Sequence, residues 1–98
     1  MDKSTIIAKL RECEPELKAA GIVRLSLFGS VARGEASSES DVDLMAEFDA
    51  AKQFSLLDMV SLENRLADIL CARVDLTPAR ALKDHIRERA TREALLAF

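Results

Sequence analysis

Two apolar runs joined by a Gly-Ser turn and a short polar loop, from Leu25 to Leu44, restrict this chain more than any other stretch. The first run, Ile22 to Phe28, reads as a strand ending at Gly29, where glycine permits torsions closed to other residues and lets a ligand approach the backbone. Its side chains alternate, placing Val23, Leu25 and Leu27 on one face and Arg24, Ser26 and Phe28 on the other. The second run, Asp41 to Phe48, interleaves carboxylates with aliphatics. Val42, Leu44, Ala46 and Phe48 share one face, and Asp41, Asp43, Met45 and Glu47 share the other. Asp41 and Asp43 therefore point the same way.

Two carboxylates side by side on a sheet repel, by about 3 kcal/mol at about 5 Å and an effective dielectric of about 20. An isolated Asp-x-Asp is most simply a solvated strand face, where screening removes that cost. The turn upstream argues for a different use. Gly29 and Ser30 offer free backbone N–H groups and a hydroxyl, Arg33 adds a cation, and Ser30 to Arg33 is long enough for one helical turn whose N–H groups face an anion. Such a turn holds phosphate, and paired carboxylates hold the divalent cations that travel with phosphate. Taken alone, Gly-Ser is an ordinary turn and Arg33 a surface charge.

The rest of the chain reads as support for this centre. Ile6, Leu10, Cys13 and Leu17 recur at helical spacing over Ser4 to Ala20, interrupted at Pro15. The residue before proline resists the helical region, so a kink, or a break with Pro15 opening a second short helix, is expected, with Gly21 as the C-terminal cap. Gly34 to Ser40 is a polar loop. Ser55 and Asp58 form a capping-box-like start to a helix whose broad apolar face is read as Leu56, Met59, Val60, Leu62, Leu66, Ile69 and Leu70. Ala72 to Thr77 is a third short strand, with Val74 and Leu76 inward and Arg73, Asp75 and Thr77 outward. Thr77-Pro78 then looks like an N-cap with proline at the first helical position, opening a charged helical segment that runs through Asp84 to Leu96 and buries Ile86, Ala90 and Ala94. His85, the only histidine, falls on its surface. The expected fold class is α/β: a small mixed β-sheet of three strands with packed helices, and residues 1–98 forming one domain.

Composition narrows the function. Net charge is −3, with both signs mixed along the chain, whereas a protein gripping a nucleic-acid backbone shows a basic patch. With four Phe and no Tyr or Trp, stacking platforms are few, so a long nucleic-acid substrate is not expected. Cys13 and Cys71 make no C-x-x-C pair and are expected to be reduced thiols. The start carries no apolar signal core and no run approaches the ~20 apolar residues of a membrane span. A cytoplasmic protein without a membrane partner is the expectation.

Gly29-Ser30, ten intervening residues and Asp41-x-Asp43 resemble the signature of the nucleotidyltransferases related to DNA polymerase beta. Gly29-Ser-Val-Ala-Arg-Gly34 with Ser40-Asp-Val-Asp-Leu44 looks like the subgroup of minimal nucleotidyltransferases (MNT). The resemblance covers Ile22 to Leu76 well and the two ends loosely. It implies a polymerase beta palm-like core and transfer of a nucleoside monophosphate from ATP or another NTP to a hydroxyl. Asp41 and Asp43 would bridge two Mg²⁺ ions, Asp75 would supply the third metal-site acid and the acceptor-side base, and Gly29 and Ser30, with Arg33, would hold the β and γ phosphates. No accessory domain for an acceptor fits in this length, so a partner protein would present it. In the MNT family that partner is a HEPN-domain protein, often a toxin, which the MNT protein neutralises as an antitoxin, in some systems by adenylylating a tyrosine. Two other readings remain open: a catalytically weak module that blocks its partner by contact, and a regulatory nucleotidyltransferase acting on a metabolic enzyme.

Overall fold

The computed structural model describes residues 2–35 and 41–98. Helix α1 (Lys3–Glu12) starts where the Asp2 carboxylate accepts a hydrogen bond from the Thr5 N–H at 2.8 Å, and it buries Ile6 and Leu10. The break at Pro15 is real: α2 (Glu14–Ala19) begins afresh with proline in its first turn, a place that needs no intrahelical N–H. Gly21, at φ 109°, turns the chain out of α2 into β1 (Ile22–Phe28). Next come α3 (Gly29–Arg33), β2 (Val42–Phe48), α4 (Leu56–Leu70), β3 (Val74–Pro78), a single 3₁₀ turn (Ala79–Ala81), α5 (Asp84–Glu93) and β4 (Leu95–Leu96). Ser55 and Asp58 close a reciprocal capping box on α4. Much of the polar loop expected over Gly34 to Ser40, including Ser40 itself, lies outside the described residues.

The sheet has four strands in the order β3-β2-β1-β4, one more than expected. β1 pairs antiparallel with both β2 and β4, while β2 and β3 run parallel across the α4 connection. The helix expected to reach Leu96 stops at Glu93. Leu95 and Leu96 instead pair with Leu27 and Ser26, and the tail continues the ladder through Ala97 N–H to Leu25 C=O at 2.8 Å. Pro78 likewise closes β3 instead of opening a helix. Proline is tolerated there because β3 is an edge strand. β2 and β3 begin at Val42 and Val74, one and two residues later than expected.

The main core lies on one face of the sheet, where Ile6, Leu10, Leu17, Leu25, Leu27, Leu44, Leu66 and Leu70 are fully buried among α1, α2 and α4. Four expected core positions are not there. A register shift between Ile22 and Arg24 adds a residue to the strand and turns Val23 outward, 55% exposed. At 100° per residue Val60 lies about 120° around α4 from Leu66, outside the ~100° stripe that meets the sheet, and it is 49% exposed, with Leu56 in the first turn at 82%. Ile86 also faces outward. The opposite face of the sheet is covered in part by the 3₁₀ turn and α5. A smaller apolar cluster of Met45, Ala79 and Ala90, joined by Phe28, Leu82 and Ala94, forms there. No described helix is long and apolar enough to cross a membrane.

Candidate active site

Strand register brings two of the three expected acids, Asp43 and Asp75, together. Asp43 lies opposite Phe28 on β1 and opposite Asp75 on β3, so it stands in mid-sheet with a second carboxylate beside it. Because Gly29 directly follows Phe28, the turn into α3 passes over Asp43. A Cβ at Gly29 would sit 3.0 Å from Asp43 Cγ and 3.1 Å from its Cβ, and would collide with Oδ2. Gly29 also has φ 76°, in the left-handed region that glycine adopts without a Cβ penalty. Close approach and torsion thus both require glycine at this one position. The first turn of α3 has no side-chain cap and no acidic residue, which leaves its N–H groups uncapped at the turn over Asp43, and Ser30 there is half-buried.

Burial, then the charges of Asp75 and Asp41, push the Asp43 carboxyl above its ordinary value, while Arg33 pulls it down. The raised value records a carboxylate short of positive charge. Asp41 is exposed just before β2 and forms an ion pair with Arg73 at 3.1 Å. Asp75 is exposed on β3, and the strand is held at its outer edge by the Glu63 carboxylate, which accepts from the Leu76 N–H at 3.0 Å. Among the described residues no three His, Cys, Asp or Glu side chains gather closely enough to hold a metal ion as they stand. The donor set nevertheless suits Mg²⁺: hard carboxylate oxygens on adjacent strand positions, with repulsion that a cation relieves.

Arg33 is not pointed freely at the turn. Its Nε meets Glu35 and its Nη1 meets Glu93, each at 3.1 Å, so it links α3 to the end of α5, and both glutamates raise its pKa. Sequence reasoning missed Glu93 and the Asp41–Arg73 pair. The Arg33–Glu35 spacing was a readable local signal, but Glu93 is sixty residues away and had none. His85 is exposed on α5, as expected. Cys13 and Cys71 are both free thiols.

Residues 7–97 match the family model described as nucleotidyltransferase domain. The chain belongs to this family. Protein adenylyltransferase MntA of Thermococcus cleftensis is 39% identical over 75 residues, 76% of this chain and 74% of that protein. A solved candidate minimal nucleotidyltransferase is 43% identical and superposes with a TM-score of 0.79, over 97% of this chain and 95% of that one. A chain from the complex of a tri-AMPylated Shewanella oneidensis HEPN toxin with an MNT antitoxin is 18% identical, with a TM-score of 0.62 over 91% of this chain and 70% of that one. At that identity the likeness is one of fold. This nucleotidyltransferase thus keeps the mixed sheet and packed helices of its family, with Asp43 under the Gly29 turn and Asp75 as its register neighbour on β3.

Proposed function

We propose that this nucleotidyltransferase moves AMP from Mg·ATP to a tyrosine hydroxyl of a HEPN-type toxin and so acts as its antitoxin. The observation that carries the reading is the bare Gly29 backbone packed over Asp43, with Asp75 as its register neighbour. A turn with uncapped N–H groups beside a carboxylate pair supports the reading. The adenylyltransferase name of the relative and the HEPN toxin of the solved complex support the choice of nucleotide and partner.

In this reading Gly29 and Ser30 present N–H groups and a hydroxyl to the β and γ phosphates, and Arg33 leaves Glu35 or Glu93 to join them. Asp41, Asp43 and Asp75 would hold two Mg²⁺ ions, which when bound would neutralise the triphosphate and lower the pKa of the attacking hydroxyl. Asp43 is fixed beneath the turn. Asp75, exposed on the side away from the turn, takes the proton of the acceptor hydroxyl. The acceptor oxygen forms a bond to the α-phosphorus as the bridging oxygen bond breaks, and pyrophosphate leaves with that electron pair.

The test is the intact mass of the partner after incubation with this protein, Mg²⁺ and each NTP, beside an assay of the partner's activity. A gain of one AMP per site that requires Asp75, followed by loss of partner activity, supports the reading. The competing steric reading draws on Leu56, Leu57 and Val60, exposed together at the start of α4. An unmodified partner fully inhibited by the Asp75→Asn protein would establish it instead.

A further inference from the structure

The acid-bearing face of the sheet carries a cavity of about 340 Å³, roofed by α5. We infer that this cavity, lined by Arg24, Ser26, Met45, Glu47, Arg87 and Thr91, is the seat of the nucleobase of the NTP substrate. The inference rests on the nucleotide transfer proposed above and names where its substrate is read.

Position comes first. Met45 is the next residue after Asp43 on the same face of β2, about 7 Å along the strand, and Ser26 is its register partner on β1. A triphosphate entering at Gly29 and Ser30 brings its α-phosphate to Asp43. The nucleoside then continues along that face towards Met45 and Ser26. The acceptor is left the other side, where Asp75 stands on β3.

The lining has the chemistry of a base pocket. Ser26 is only 7% exposed, and among the described residues its hydroxyl has no hydrogen-bond partner. It is not sealed off either, because it opens on the cavity. A hydroxyl both donates and accepts, as the edge of a base demands. Met45 offers sulfur to an aromatic ring, and Arg24 and Arg87 offer guanidinium planes on which a base can stack. Arg24 is paired with Glu47 at 3.5 Å, and Arg87 reaches Asp84 only at 3.9 Å. Glu47 can only accept, so it suits the amino or ring N–H donors on the edge of a base. The volume falls in the roughly 300–1,000 Å³ of small-molecule sites. A second cavity, of about 390 Å³ between α2 and α4, is lined by Leu17 and Leu62 of the main core face, and its charged Arg65 and Glu16 already satisfy each other. It is turned away from the acids.

The test uses methyl-labelled methionine in the full chain with Mg²⁺, followed by NMR, together with thermal shift. Only Met1, Met45 and Met59 contribute signals. ATP, and adenosine at higher concentration, should move the Met45 methyl and leave Met59 on α4 in place, while inorganic tripolyphosphate should leave Met45 unmoved. Ser26→Ala and Thr91→Val should each weaken ATP about five-fold without weakening tripolyphosphate. If ATP saturates the thermal shift while Met45 stays still, or if Ser26→Ala weakens tripolyphosphate and ATP alike, the cavity is an ordinary hydrated groove. A parent that ignores tripolyphosphate removes the phosphate turn but not the cavity, which adenosine then decides through Met45.

Discussion

Gly29 and Gly34 form a matched pair for testing the site. Both sit in the left-handed region, at φ 76° and 75°, but an added Cβ meets Asp43 at Gly29 and open space at Gly34. Alanine at either position costs about 1–2 kcal/mol in torsional strain, and each kcal/mol lowers the Tm of a domain this size by about 4–8 °C. Gly34→Ala should show that loss and little else. In Gly29→Ala the new methyl would lie 3.0 Å from Asp43 Cγ and closer to Oδ2. The carboxylate must therefore swing away by roughly 1 Å, a misplacement that costs catalysis about 100-fold. Each variant is melted with and without Mg·ATP, and transfer is followed on the partner by mass. The expected result is a similar fall in Tm for the two metal-free proteins, with the Mg·ATP response and transfer lost only in Gly29→Ala. If Gly34→Ala loses the nucleotide response to the same extent, helix α3 is simply fragile. If Gly29→Ala keeps full transfer, Asp43 is not the acid that matters.

Three further outcomes follow from the same coordinates. Asp43 has a folded-state pKa above its ordinary value of 3.8, so its favourable contribution is complete below that pH and is lost as pH rises through the folded value. In EDTA, Asp43→Asn should therefore match the parent near pH 3.5 and exceed it increasingly above pH 4, by about 0.2–1 kcal/mol for a like-charge pair directly opposite; equal melting curves across that range would show that Asp75 and Asp43 do not interact. Arg73→Met should tighten Mg²⁺ binding by up to about 5-fold by releasing Asp41 from an exposed ion pair, as read by calorimetry; weaker Mg·ATP binding would place Arg73 on the phosphates instead. Leu66→Ala should cost about 2–5 kcal/mol in chemical denaturation, whereas Leu56→Ala should stay within about 0.5 kcal/mol, and a large loss at Leu56 would overturn the exposed placement of the first turn of α4.

Local signals carried most of the fold. The proline break, the Ser55 capping box and the end of β1 at Gly29 all follow from residue type, spacing and strand period, which act over a few residues, whereas the place of Asp75 beside Asp43 was implied only by the family resemblance. The errors arose where neighbours distant in sequence decide. Leu95 and Leu96 continue the charged α5 pattern by composition, but the unpaired edge of β1 recruits them as a strand. Val23 alternates correctly with Leu25 and Leu27 until a register shift beside it removes it from the core. Met45 shares the acid face of β2, which looks solvent-facing from its alternating carboxylates, yet it is only 9% exposed because α5 and Ala79 cover it.

Arg33 shows how the same limit bears on the site. Its place four residues after Gly29 suggests a phosphate ligand, and the structure finds it between Glu35 and Glu93 instead. Each of these partly exposed pairs is screened by solvent, whereas a phosphate offers the guanidinium a more highly charged partner that it can grip with two parallel hydrogen bonds. An incoming triphosphate therefore competes well for the guanidinium. Until it arrives, Arg33 ties the end of α5 to α3, and with it the roof over Met45 and Ser26. In the proposed reading the cation that would receive the phosphates is also the one that ties down α5, so nucleotide binding at one end of the site would be coupled to the position of α5 at the other.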